Sequence, residues 1–273
     1  MDGQELLRCE RIAVSLAFEA GLMMKSASGR NKEISEKDSF ADLVTETDKA
    51  IEKFLFTELK RQFPDFRFIG EETSAGVGLT VDPTWIVDPI DGTMNFVHTF
   101  PFTCVSIGLT VNKVPVVGVV YSPFLSKLYT ARKGWGAYCN GQPLSVHKSC
   151  KSLNEALLLC EFGNQRDEEK RNAVFRNLEA VGWLSHSVRC VGSAALNLCC
   201  VADGSADAYW EFGLHVWDMA AGSLILTEAG GVVMDTKGGP LDIMSRRVLG
   251  ACNRNIADEL GRALPIHLEL ERD

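Results

Sequence analysis

The chain has 273 residues, 46% of them hydrophobic, which is enough apolar material for one large domain or two closely packed ones. Its formal net charge of −8 argues against a nucleic-acid backbone as partner, while an anionic small molecule stays compatible if cations invert the charge locally. Nine cysteines, an odd number with no C-x-x-C pair, read as buried reduced thiols. The first residues, Met1 to Glu5, lack a basic-then-apolar leader pattern, and no apolar run approaches the ~20 residues that span a bilayer, so no membrane is expected and the cytoplasm is the default.

Leu6 to Lys25 carries apolar residues at helical spacing (Leu7, Val14, Phe18; Ile12, Leu16). Ser28 to Phe40 is polar and reads as a loop or hairpin. After Asp42-Leu-Val-Thr-Glu-Thr-Asp48, the residues Ile51, Phe54, Leu55 and Leu59 predict a helix that starts at Thr47 or Asp48 and stops before Pro64. Phe66 to Ile69 is a short strand running into Gly70-Glu71-Glu72. Trp85-Ile86-Val87 is β-prone and delivers Asp88; Pro89 is expected to end regular pairing, and Asp91-Gly92-Thr93 leads to a possible helix. Residues 103–111, 114–121 and 127–131 are β-rich, and Asn140-Gly141 signals a hairpin turn. The second half alternates: strands near 156–160, 187–190, 208–212, 232–234 and 248–252, helices near 167–181, 193–202, 216–229 and 256–264. With no tether and no repeat, layered α and β elements around a shared core are predicted.

Asp48, Glu71, Asp88, Asp91 and Asp218 stand at strand ends or helix starts. Taken singly, each has an ordinary reading: Asp48 or Asp218 as a helix-capping acid, Glu71 as a surface loop acid, Asp91-Gly92 as a plain turn. Asp218 lies between Trp217 and Met219, where a carboxylate is costly to bury unless paired or bound to metal. Paired acids beside a helix start suit a hard divalent cation next to a phosphate. Two cations beside a phosphate monoester would activate water and stabilise the departing alkoxide, and a hydroxyl such as Thr93 can orient that water; no Cys, Ser or His nucleophile is needed.

Gly70-Glu71-Glu72, Asp88-Pro-Ile-Asp-Gly-Thr93-x-Asn95-Phe96 and Trp217-Asp218-x-Ala220-Ala221-Gly222 resemble the signature motifs of the inositol monophosphatase family, nearest its animal-type inositol-1-phosphate phosphatases. The resemblance extends over Asp42 to Asp48, Phe100-Pro-Phe102, Gly118 to Tyr121, Tyr129 to Gly134, Cys139-Asn-Gly141 and Ser245 to Arg247, close to the whole chain. It implies an α/β fold, the αβαβα five-layer sandwich of the sugar phosphatases. Residues 1–273 would form a single catalytic domain of two intimately packed halves, about 1–145 and 146–273, usually a homodimer. It implies two to three Mg²⁺ per site: Glu71, Asp88 and the carbonyl of Ile90 on the first, Asp88, Asp91 and Asp218 on the second, Glu71 and waters on a weaker third. Thr93, bonded toward Asp48, would orient and help deprotonate the attacking water, with Glu71 in the catalytic set. The N–H groups of Gly92 and Thr93 would hold phosphate. Asp91, Glu211 and the Gly192-Ser193-Ala194 backbone would meet the inositol hydroxyls, with Asp218 also on the substrate side. Lys37 matches a family lysine near the metals.

The activity implied is hydrolysis of a small sugar or inositol phosphate, above all myo-inositol-1-phosphate, inhibited by Li⁺ and serving inositol recycling and phosphatidylinositol signalling. An aspartyl-phosphate mechanism is disfavoured, because its motif has one residue between the acids and this chain has two. A non-catalytic metal-binding scaffold is the rival from another class; such proteins usually lose a ligand, and none is missing here. His98 and His215 read as structural or rim groups. Met94, where many relatives carry a polar residue, and Ser193, in place of a frequent Thr, are departures that remove no ligand.

Overall fold

The buried run Thr84–Asp91 sets the architecture. All eight of its residues are buried, as expected of a strand covered on both faces. The structure is a computed structural model that describes residues 1–29, 34–37, 40, 43–74 and 76–273. Asp42 of the early motif lies outside the described residues. So does much of the 28–40 segment, although its described part pairs Ile34–Glu36 (β1) antiparallel with Leu43–Thr45 (β2).

A seven-stranded sheet follows. Arg67–Gly70 (β3) lies parallel to Thr84–Asp91 (β4). The antiparallel strands Cys104–Val111 (β5), Val114–Ser122 (β6), Lys127–Arg132 (β7), Ala137–Cys139 (β8) and Gln142–Pro143 (β9) continue it in chain order. At the β8–β9 turn Asn140 and Gly141 have φ of 50° and 77°, the left-handed pair a two-residue hairpin needs. The second sheet has the order β11-β10-β12-β14-β13, built from Leu157–Cys160 (β10), Ser187–Arg189 (β11), Ala208–Phe212 (β12), Val232–Met234 (β13) and Arg247–Ala251 (β14). Its first three strands are parallel, and β13 and β14 are antiparallel additions.

Helices complete five layers. Gly3–Ala27 (α1) and Glu46–Gln62 (α2) cover the outer face of the first sheet. Ala194–Ala202 (α5) and Val216–Glu228 (α6) fill the middle, touching both sheets. Glu168–Gly182 (α4) and Arg254–Ala263 (α7) pack together beside the second sheet. The short helix Thr93–Val97 (α3) follows β4. Because α6 lies between two sheets, residues around its whole circumference are buried, which explains its lack of a polar face. Its small residues let it press onto the first sheet. A Cβ on Gly118 would come within 2.7 Å of the Ala221 carbonyl, and one on Gly108 within 2.9 Å of Ala220 Cβ.

Two expectations are corrected. Pro89 does not end β4: pairing with β5 slips between Asp88 and Asp91 and resumes at Asp91 opposite Cys104, so the proline sits in an irregularity where no ladder N–H is required. Helix α2 begins at Glu46 with Thr45 as its cap, and Asp48 is its third residue. A 3₁₀ turn at Leu153–Glu155 has no counterpart in the sequence reading.

Candidate active site

Asp88 and Asp91 stand three residues apart, which on a regular strand would put them on opposite faces; the slip in β4 between them lets both reach one site. Together with Asp218 they bring carboxylate oxygens within 4.8 Å of one another. Asp218 arrives from the other half of the chain, as the third residue of α6. One of its oxygens accepts the His215 N–H at 2.7 Å, closing the helix start, and this fixes the carboxylate in place. Asp48 has the same position in α2: Oδ2 accepts the Thr45 N–H at 2.9 Å, while Oδ1 lies 3.1 Å from Thr93 Oγ1. Thr93 Oγ1 is also 3.0 Å from the Ile90 carbonyl.

Asp91 is held from α5. Its carboxylate accepts from Ser193 Oγ at 2.6 Å, the Ala195 N–H at 2.7 Å and the Ala194 N–H at 3.3 Å. Ser193 therefore acts on Asp91 and caps α5, where its Oγ also accepts the Leu196 N–H. Gly92 has φ of 87°, and a Cβ there would meet the Gly192 carbonyl at 2.8 Å, so glycine lets the two halves close on each other. Asn95 Nδ2 fastens the same junction, donating to the Phe102 and Val191 carbonyls at 2.7 Å each.

A cleft of about 220 Å³ collects Glu71, Asp88, Ile90, Asp91, Gly92, Thr93, Gly192, Ser193, Ala194, Glu211 and Asp218. Of the site residues expected from sequence, Asp48 and Lys37 do not line it; Asp48 is fully buried behind Thr93. Met94 and His215 also line the cleft. The His215 ring is engaged elsewhere, stacked on Trp217 with centroids 4.6 Å apart and 2.7 Å from Asp273 Oδ1. Lys37 bridges Glu71 and Glu72 at 2.8 Å each.

Crowding and burial disfavour the charges. Burial first, then the charges of Glu71, Asp91 and Asp218, pushes Asp88 far above the usual carboxylate range. Asp218 is raised in the same way by burial and Asp91. Glu71 is pushed up to about 7 by burial, against the pull of Lys37. Asp91 is also raised by burial, but its ring of donors opposes the shift. Asp88 Oδ1 is buried and has no hydrogen-bond partner. An orphaned oxygen among crowded carboxylates is what a divalent cation with a preference for oxygen ligands would satisfy, so this donor set fits Mg²⁺.

Several supporting residues were not singled out from sequence. Glu52 accepts from the Glu72 N–H at 2.8 Å and Thr73 Oγ1 at 2.6 Å, holding the turn that carries Glu71. Glu161 Oε1 accepts the N–H groups of Val191 and Gly192 and the Asn197 side chain, each at 2.8 Å. Tyr209 donates to Glu211, and the ammonium of Lys170 is buried beside it on the Phe212 carbonyl. Glu161 could have been found by the criterion that found Glu71, an acid at the end of an apolar strand. Glu52 and Lys170 were visible as charges inside the apolar stripes of α2 and α4.

A sequence profile described as the inositol monophosphatase family matches residues 5–269. Inositol monophosphatase 1 of Bos taurus is 48% identical over 269 residues, covering 97% of this chain and 96% of its own length. Among solved structures, the extragenic suppressor protein SuhB of Bartonella henselae superposes with a TM-score of 0.86 at 34% identity, covering 94% of this chain and 98% of that one. An inositol monophosphatase from Anabaena (Nostoc) superposes at 0.83 with 34% identity, covering 97% of this chain and 98% of its own.

Proposed function

The chain belongs to the inositol monophosphatase family, and we propose that it hydrolyses myo-inositol monophosphates to inositol and phosphate with Mg²⁺ as its metal. The observation that carries this reading is the Asp88, Asp91 and Asp218 cluster with its unpartnered Asp88 oxygen, beside a helix start and a hydroxyl. Glu71, Asp88 and the Ile90 carbonyl would hold one ion, Asp88, Asp91 and Asp218 a second, and Glu71 with waters a third. When bound, these ions screen the phosphate dianion, lower the pKa of water and stabilise the leaving alkoxide.

The chain's own groups do the remaining work. Thr93 Oγ1 donates to Asp48, which frees its lone pairs to accept a hydrogen from the attacking water and aim it. The N–H groups of Gly92 and Thr93, at the start of α3, would hold phosphate oxygens. Glu211, Asp91 and the Gly192 to Ala194 segment receive the inositol hydroxyls. The Ala194 N–H makes the longer of the two backbone bonds to Asp91 and is the one more easily shared with substrate.

Phosphate release from a panel of sugar phosphates with millimolar Mg²⁺ tests the reading. Myo-inositol-1-phosphate should be the best substrate, and a chelator should abolish turnover. No release from any inositol monophosphate would overturn it. Direct attack by water predicts inversion of isotopically chiral phosphate. Li⁺ inhibition at roughly tens of millimolar is expected if it displaces an ion from the second site.

Residues 1–273 are proposed to act as one catalytic domain, which α5 and α6 support by packing on both sheets. A homodimer is proposed and is checked by light scattering. The nine free thiols fit a reducing compartment such as the cytoplasm. Among the described residues no helix is long and apolar enough to cross a membrane.

A further inference from the structure

Glu161 ties the Val191–Gly192 backbone into the cleft, and a cysteine stands immediately before each of these partners. Cys160 ends β10, and Cys190 follows the last residue of β11. The two strands are parallel neighbours in register, with Leu159 opposite Arg189, so Cys160 and Cys190 form the next facing pair. Their Sγ atoms are 3.6 Å apart. We propose that Cys160 and Cys190 are a reversible dithiol–disulfide pair whose oxidation displaces the Val191–Ser193 segment and slows catalysis. The effect on rate rests on the phosphatase reading above; the bond itself does not.

The spacing permits the bond. Paired strands lie about 4.8 Å apart, inside the roughly 4.4–6.8 Å range of Cα separations that a disulfide spans. The sulfurs must close from contact to about 2.05 Å, a motion of about an ångström and a half that side-chain rotation and a small backbone shift share.

Exposure and charge select this pair. Cys190 is exposed and Cys160 is buried. The Cys160 thiol, hydrogen-bonded to its neighbour, lowers the pKa of Cys190, while that same bond and burial keep Cys160 protonated. Cys190 is therefore the attacking thiolate and Cys160 the resolving thiol. The buried thiols elsewhere are held protonated: Cys150 is pushed up to about 12 and Cys252 to about 11 by burial.

With a peroxide as oxidant, the Cys190 thiolate attacks one oxygen and breaks the O–O bond. This gives a sulfenic acid and, after protonation, one water. Cys160 sulfur then attacks the Cys190 sulfur, its proton leaves with the hydroxyl as a second water, and the S–S bond forms. The thiols lose two electrons and the peroxide gains them. A dithiol reductant reverses the step by exchange.

The consequence follows from the connections of both residues. Glu161, adjacent to Cys160, accepts from Val191 and Gly192. Asn95 Nδ2 lies 2.7 Å from the Val191 carbonyl and 3.2 Å from that of Gly192, and Ser193 Oγ holds Asp91. Drawing Cys190 toward β10 strains this set, and a displacement near 1 Å in a positioned site costs on the order of tenfold to a hundredfold in rate.

The test uses the reduced Mg²⁺-loaded enzyme. Its phosphate release from myo-inositol-1-phosphate is measured first; failure there overturns the functional reading alone. The enzyme is then treated with a small excess of hydrogen peroxide, free thiols are blocked, and peptides are mapped by mass spectrometry. The expected result is a Cys160–Cys190 linked peptide, activity reduced about tenfold or more, and recovery in dithiothreitol. C190S should keep the reduced enzyme's activity and lose the peroxide response. Absence of the linked peptide, a linked peptide with unchanged activity, or equal inactivation of C190S would each overturn the proposal.

Discussion

Among the described residues, two clusters meet the same geometric condition for a metal and differ in chemistry. Asp88, Asp91 and Asp218 bring carboxylate oxygens within 4.8 Å of one another, and Cys150, Asp207 and Cys252 bring two thiols and a carboxylate equally close, Asp207 just before β12 and Cys252 just after β14. In the second cluster Asp207 Oδ2 accepts the Leu157 N–H at 2.7 Å, and His147 Nδ1 lies 2.7 Å from Oδ1. The adjacent thiols stay protonated, and hydrogen bonds with Asp207 help to raise Cys150. That carboxylate brings its own donors. In the first cluster Asp91 is similarly supplied, by Ser193, Ala194 and Ala195, but Asp88 Oδ1 is not. Proximity alone does not separate a binding site from a structural network; the balance of donors to acceptors does.

The strongest way to break this contrast is to neutralise each acid. Asp88→Asn should lower phosphate release by about a thousandfold or more, roughly 4 kcal/mol of lost transition-state stabilisation. At neutral pH it should also raise the metal-free protein's urea midpoint, because folding must otherwise protonate a carboxyl whose buried charge is strongly disfavoured there. A metal-free Asp88→Asn protein less stable than the parent would refute the contrast. Asp207→Ala should do the opposite. It strands the Leu157 N–H and the buried thiols, costing roughly 2–4 kcal/mol in urea unfolding, while turnover per folded enzyme holds. A loss of turnover without loss of stability would place Asp207 in the wrong class.

A smaller effect comes from the metal itself. Mg²⁺ at about a hundred times its Kd should stabilise the parent protein by about 2.7 kcal/mol. The gain should survive in Asp207→Ala and shrink in Asp88→Asn, read as shifts in thermal midpoint. Equal stabilisation of both variants would mean that the ion binds elsewhere.

How much of this was legible depended on whether the informative contacts are local. The α6 segment announced itself, because an acid inside Val216–Trp217–Asp218–Met219 has no ordinary place in a core. Strand β4 was plain from its apolar run, but Pro89 misled: a missing N–H ends a regular ladder, yet here the pairing slips at that point. Asp48 and Asp218 were seen as helix-start acids, and they are. What sequence did not display is that one carboxylate can close a helix with one oxygen and face the site with the other. The residues that hold the site act across long separations. Glu52 reaches the turn twenty residues on, Glu161 a segment thirty residues on, and no local pattern records such pairings.

Glu211 lies between the two extremes and sharpens the contrast at its mildest. It has a donor in Tyr209, yet burial and Glu161 push it up to about 8, with Lys170 pulling the other way. One donor is thus too few, where Asp207 has enough. With a folded pKa near 8 and an ordinary value of 4.5, the folded protein keeps a proton that the unfolded chain releases between those limits. Stability of the metal-free protein should therefore fall as pH rises from about 4.5 to about 8, by up to about 5 kcal/mol from this group. Glu211→Gln should flatten that slope and leave the variant the more stable of the two at pH 8, with weaker substrate affinity as the price. Urea midpoints of the metal-free proteins across this range decide the matter. An unchanged slope would mean that Lys170 neutralises Glu211 in the fold, and that this carboxylate belongs with Asp207 as a satisfied group.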